Sequence, residues 1–198
     1  MIEKEQEAIA KPKSFRAFFA VVISQEIQQQ IIEILSPLQR DAKFRQIRWT
    51  HPENLHITLR FLGNITQSQY DAIVPKVSAI LEPIKEFEVD FTSLIYFPSR
   101  AKPRVLIIQP DSIARLAELS ILIDKVVVEC GVKPENRPFA PHLTVGRLNN
   151  WWRKPPELTV TELPKMICKV NEVVLFRSDP GEKKSVYTPL QQIKLHVL

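Results

Sequence analysis

Glycine is scarce in this chain, at four of 198 residues. That excludes the glycine-rich loops that cradle phosphates in Walker A and dinucleotide-binding sites. Cysteine is scarcer still. Cys130 and Cys168 form no CxxC pair and have no metal-like spacing to histidine, so neither a disulfide framework nor a zinc ribbon is expected. They read as reduced packing residues of a cytosolic protein. No apolar run approaches the roughly 18 residues of a membrane span. There is no Gly-x-Ser-x-Gly elbow for a serine nucleophile, and no DxD pair or carboxylate cluster for a magnesium site. The first 13 residues, MIEKEQEAIAKPK, lack an apolar signal core and are expected to form a flexible tail ahead of a single domain over 14–198.

What is present is ordinary for a folded soluble protein: 44% hydrophobic and 25% charged residues. The net charge is +5 and the sequence pI about 9.2, a weak basic signal that suits an anionic partner such as RNA.

The informative feature is a pair of tetrads. His56-Ile57-Thr58-Leu59 stands in the first half and His142-Leu143-Thr144-Val145 in the second. Side chains of a strand alternate between faces. Each segment can therefore anchor with its aliphatic residues and present an imidazole beside a hydroxyl. By the same alternation Leu55, Ile57, Leu59 and Phe61 share the core face of the first segment, and His56, Thr58 and Arg60 share the other. One such segment is commonly just a half-buried strand facing water; two in one short chain ask for a further reason.

The order of elements repeats as well. Phe15 to Ile23 reads as a buried strand, followed by a helix capped by Ser24 with Ile27, Ile31, Ile34, Leu35 and Leu38 on one face. Pro37 is expected to bend or end it. The first tetrad strand spans Asn54 to Leu62, and Gly63-Asn64 reads as a turn. Thr66 and Gln69 form a capping box for a helix over Gln67 to Leu81. Phe87 to Phe97 and Arg104 to Gln109 read as an antiparallel pair. Asp111 is the expected cap of the next helix, with Leu116, Leu119 and Ile123 in its stripe and Gly131 closing it. The second tetrad follows, then strands at Lys169 to Phe176 and around Val186 to Leu198, separated by a turn at Asp179-Pro180-Gly181. Strand, helix and His-x-Thr strand thus occur twice. A duplicated unit implies two lobes about an approximate two-fold axis, which can bring two equivalent polar faces together.

Two imidazoles titrating near pH 6.5 can form an acid–base couple at neutral pH, and hydroxyls can donate to phosphoryl oxygens as charge builds on them. Such a set suits displacement at phosphorus without a metal. A two-histidine zinc site lacks a third good ligand. No cofactor is expected.

The duplicated His-x-Thr tetrads resemble the hallmark of the 2H phosphoesterase superfamily. FRAFFAV, NLHITLRFLG, RPFAPHLTVGR and VVLFRSDPGEKKSVYTPL resemble the RNA 2′,3′-cyclic phosphodiesterases within it, formerly called 2′-5′ RNA ligases, over about Phe15 to Leu195. The resemblance implies an α+β fold of two pseudo-symmetric lobes, with antiparallel sheets lining a central cleft and helices outside. It implies opening of RNA 2′,3′-cyclic phosphate ends, or of nucleoside cyclic phosphates, to a terminal 2′-phosphate. His56 would be the proton donor and His142 the acceptor, although the pseudo-symmetry leaves the two roles interchangeable on sequence alone. Thr58 and Thr144 would hold the phosphate. Arg147 matches a family arginine near the phosphate; it stands five residues from His142 and has the wrong parity for a regular strand unless Gly146 allows a bend. Arg60 and Phe139 are further candidates for substrate contact, and Trp151 and Trp152 could stack bases. A cytoplasmic monomer without membrane or obligate protein partner is expected. Two readings compete with hydrolysis: RNA end joining in the same site, and an RNA-end-binding module without turnover.

Overall fold

A computed structural model describes residues 14–148, 155–181 and 185–197. The 13-residue N-terminal segment, Trp151, Trp152 and the lysines at 183 and 184 lie outside the described residues. Strands β1 (Ser14–Val22), β2 (Arg48–Trp49), β3 (His56–Thr66), β4 (Phe87–Phe97), β5 (Val105–Pro110), β6 (Leu143–Arg147), β7 (Ile167–Val170), β8 (Glu172–Pro180) and β9 (Ser185–Lys194) form one sheet. Among the described residues three α-helices accompany it: α1 (Gln25–Arg40), α2 (Gln67–Leu81) and α3 (Ile113–Glu129).

The strand order β7-β4-β5-β6-β3-β1-β8-β9 reads the same from both ends. β3 answers β6, β1 answers β5, β8 answers β4 and β9 answers β7. The expected duplication is therefore real at the level of topology. The two halves are not separate sheets; they join where β3 meets β6 antiparallel through a single pair, Ile57 opposite Leu143. Each is the residue after a tetrad histidine, so the pseudo-two-fold axis passes between the two tetrads.

All three helices cover one face of the sheet. Ile27, Ile31, Leu35 and Leu38 of α1, Ile73, Val77 and Leu81 of α2, and Leu116, Leu119, Ile123 and Val127 of α3 share one core with Phe19, Ile57, Leu59, Leu143 and Val145. Burial of this apolar area, at about 25 cal/mol per Å², is what fixes which face each strand turns away from the helices. The opposite face has its own small apolar floor of Phe18, Ala20, Ile107 and Val174, buried but outside the helix-side cluster.

Local sequence signals hold in several places. Ser24 accepts from the Ile27 amide, and Thr66 and Gln69 form a reciprocal capping box. Gly131 takes φ +82° after the last turn of α3, the left-handed conformation expected of a residue that closes a helix. Pro37 and Pro75 sit within α1 and α2 without ending them. Two expectations are corrected. Asp111 does not cap α3: its carboxylate accepts from the Asp90 amide and the Ser112 hydroxyl, bracing β4 against the start of the helix. Gly63-Asn64 is not a turn: β3 continues through it to Thr66, and Gly63, at φ +68°, lies at a register shift where Ala17 pairs with Gly63 but Phe18 with Phe61.

Candidate active site

The site is built outward from the Ile57–Leu143 pair. Residues flanking a directly opposed pair also face one another across an antiparallel ladder. His56 therefore stands opposite Thr144, and Thr58 opposite His142, all on the face away from the helices. Ile57 and Leu143 point the other way and are fully buried. The four polar groups form a compact patch about the axis.

Both imidazoles are oriented by the same device. Nδ1–H of His56 donates to the Asn54 carbonyl and Nδ1–H of His142 to the Ala140 carbonyl, each at 2.7 Å. A carbonyl can only accept, so Nδ1 carries the proton and Nε2 is the nitrogen left to the groove. The Thr58 hydroxyl donates to Nε2 of His56 at 3.1 Å.

The two rings differ in their walls. His56 lies 5.0 Å from the Phe18 ring and 5.3 Å, nearly perpendicular, from Tyr187. Phe176 stacks behind Phe18 at 5.4 Å. Among the described residues His142 has one aromatic neighbour, Phe97, stacked at 5.2 Å and 20°. The asymmetry follows from strand length. β9 runs ten residues and carries Tyr187 to His56, whereas its counterpart β7 has four and pairs only with Phe87 to Asp90 of β4. The pKa of His56 is lowered to about 4, first by burial and further by the charges of Arg147 and His142, with the Asn54 hydrogen bond opposing. His56 is therefore neutral in the free protein at pH 7.

Two β-bulges decide what else reaches this face. On β3, Ala20 pairs with Thr58 and Phe19 with Arg60, so Leu59 is the extra residue. On β6, Ile107 pairs with Thr144 and Leu106 with Gly146, so Val145 is the extra residue. A bulge shifts the alternation by one. Beyond it the residue five after each histidine returns to the groove: Phe61 on β3 and Arg147 on β6. Arg147 thus faces the groove through the bend at Gly146. A Cβ at Gly146 would lie 2.5 Å from Ile47 Cγ2, which explains why glycine stands there.

The same geometry corrects Arg60. The bulge turns it to the helix side, where it is 6% exposed. Nε donates to Asp124 at 2.5 Å, one terminal nitrogen to the Lys133 carbonyl at 2.5 Å and the other to the Phe61 carbonyl. Ser120, one turn before Asp124 on α3, donates to the Leu59 carbonyl at 2.8 Å. Arg60 is the pin that holds the bulge to α3, not a substrate contact. Phe139 packs, partly buried, against the helix-side core. Phe61, placed in the core by simple alternation, is 51% exposed and lies 5.8 Å from Phe18 on the histidine face.

The family model described as LigT like Phosphoesterase matches residues 21–107 and again residues 108–187. The chain belongs to the LigT-like phosphoesterase family. The two matches divide it within β5, close to the boundary of the topological repeat. Among curated relatives, an RNA 2′,3′-cyclic phosphodiesterase of Methanothermobacter thermautotrophicus is 29% identical over 187 residues, covering 91% of this chain and 98% of the relative. One of Archaeoglobus fulgidus is 30% identical over 174 residues, covering 88% and 93%. Among solved structures, E. coli LigT complexed with 3′-AMP superposes with TM-score 0.76 at 25% identity, covering 92% of this chain and 99% of that one.

Within this LigT-like frame, His56, Thr58, His142, Thr144 and Arg147 come together, and Arg60 and Phe139 do not. Phe18, Phe61, Phe97 and Tyr187 are the site-facing residues that the sequence did not disclose. Among the described residues no group of three His, Cys, Asp or Glu gathers as metal ligands. No helix among them is long and apolar enough to cross a membrane, and both cysteines are free.

Proposed function

We propose that this protein hydrolyses the 2′,3′-cyclic phosphate ends of RNA to a terminal 2′-phosphate, using its two histidines as acid and base. The observation that carries this reading is the Ile57–Leu143 register, which sets two imidazoles with their Nε2 atoms toward the groove and two hydroxyls about one point. A phosphate fits there. Thr58, Thr144 and Arg147 would donate to its nonbridging oxygens, where charge grows as phosphorus becomes five-coordinate.

The steps balance simply. Water attacks phosphorus in line and gives its proton to Nε2 of one histidine. The P–O3′ bond breaks, and Nε2–H of the other histidine protonates O3′. The pair ends with its proton exchanged, and solvent restores it. Family resemblance assigns donation to His56 and acceptance to His142. Because His56 is uncharged in the free protein, it must take up its proton as the anionic substrate arrives and offsets the charge of Arg147. The exposed ring of Phe61 and the edge of Tyr187 offer a surface on which the terminal base can stack. The names of the curated relatives and the basic charge of the chain support RNA as the substrate.

The test is product analysis. An oligoribonucleotide ending in 2′,3′-cyclic phosphate should yield the 2′-phosphate, with or without a chelator and with or without a 5′-hydroxyl acceptor. Loss of activity in chelator with recovery on zinc would overturn the mechanism. A joined strand as the main product would replace hydrolysis by end joining.

A further inference from the structure

Arg48 and Arg147 stand directly opposite one another where β2 pairs with β6. Opposed residues of an antiparallel ladder project from the same face, with Cβ atoms about 5 Å apart. The neighbouring pair, Trp49 with Gly146, shows which face this is. A Cβ on Gly146 would point at Ile47, Trp49 and Leu106, all of which belong to or pack on the helix-side core. The residues one step along therefore face the groove. The charge of Arg147 acts on His56, as that placement requires.

Both arginines are exposed. Among the described residues neither has an ion pair or a side-chain hydrogen bond. Like charges placed directly opposite weaken a ladder, and no carboxylate among the described residues pairs with either. A ligand with more than one negative charge would.

The charge count shows where the second one lies. A 2′,3′-cyclic phosphate has one negative charge and two nonbridging oxygens. Arg147 and both threonines already supply donors to both of those oxygens, while the two Nε2 atoms are engaged with the attacking water and with O3′. Arg48 has nothing left to answer on a free nucleoside cyclic phosphate. In an RNA strand the next negative charge is the phosphodiester joining the terminal nucleoside to its 5′ neighbour. Resting on the cyclic phosphodiesterase reading above, we propose that Arg48 binds this penultimate phosphodiester, so that a strand end is preferred to a free nucleotide.

Three substrates separate the possibilities: adenosine 2′,3′-cyclic phosphate, the dinucleotide ApA with the same terminus, and that dinucleotide with an uncharged methylphosphonate at its internal linkage. Arg48→Gln should lower kcat/KM for the charged dinucleotide about tenfold or more, mainly through KM. It should leave the mononucleotide within about twofold. The wild type should lose a similar factor on the methylphosphonate, and Arg48→Gln should lose no more. With a longer oligoribonucleotide the slope of log affinity against log salt should become shallower by about 0.7. Because the substitution removes a like-charge pair, Tm should stay the same or rise. Equal loss on mononucleotide and dinucleotide, or loss on neither, overturns the assignment. Should the wild type turn over none of the three, the phosphodiesterase reading fails by itself. Titration with mono- and dinucleotides ending in 2′-phosphate then decides the role of Arg48 without turnover, by whether Arg48→Gln weakens only the longer ligand.

Discussion

His56 ties the groove to the stability of the whole protein. Its folded-state pKa is about 4, against 6.5 in an unfolded chain. Above pH 6.5 it is neutral in both states and contributes no pH dependence. As pH falls below 6.5 the unfolded chain binds a proton that the folded chain refuses, so stability is lost until about pH 4. Linkage makes that loss about 2 kcal/mol at pH 5 and about 3 kcal/mol at pH 4 for this one residue. His56→Gln removes the titrating group. Urea unfolding at pH 7.5 and pH 5.0 should show the wild type losing about 2 kcal/mol more than the variant between the two conditions. Carboxylates titrate in both proteins and cancel. One of them is Glu135, held down to about 2 by hydrogen bonds from Arg137, whose contribution is lost only as pH falls through the range below 4.5. Equal losses in wild type and variant would refute the reasoning. They would mean that Phe18 and Tyr187 do not take the ring out of water.

Tyr187→Ala opens that wall and should raise the pKa of His56 from about 4 toward 6.5, read from its ring Cε1–H resonance; Tyr187→Phe should leave it in place. Gly146→Ala forces a Cβ to 2.5 Å from Ile47 Cγ2. It should cost about 1–3 kcal/mol in urea unfolding and, by displacing Arg147, lower kcat/KM in the protein that remains folded. Arg60→Met removes the pin between β3 and α3. With Asp124 37% exposed the loss is moderated by solvent, and about 2 kcal/mol is expected, with kcat nearly unchanged. A stable but inactive Arg60→Met protein would return that residue to the site.

The parts of this molecule legible in sequence were those governed by local periodicity. The tetrads, the stripe of α1, the Thr66–Gln69 box and the order of repeated elements all follow from side-chain spacing. What the sequence hid depended on two extra residues. Strict alternation puts Phe61 in the core and Arg60 in the groove. The bulge at Leu59 exchanges them, and its only trace is the polar pair Ser120 and Asp124, one turn apart on an otherwise apolar helix stripe. Gly146 was a better clue, since glycine in a short strand marks a bulge or a close approach. Tyr187 and Phe97 could not be placed from sequence, because their meeting with the histidines depends on the lengths of β9 and β4 and on pairings far along the chain. The single-sheet join at Ile57 and Leu143 was equally invisible: a repeat predicts two-fold symmetry but not where the axis falls.

The division of labour between the histidines is the center of the account, and a sulfur at the leaving position tests it. A substrate with bridging 3′-sulfur in its cyclic phosphate departs as a thiolate, with a pKa far below that of an alcohol, and needs no proton donor. On the oxygen substrate His56→Ala and His142→Ala should each cost about 10²–10⁴-fold in kcat. On the sulfur substrate His56→Ala should recover most of its loss and His142→Ala none. Recovery of both variants, or of neither, would contradict an acid and a base facing each other across one phosphate.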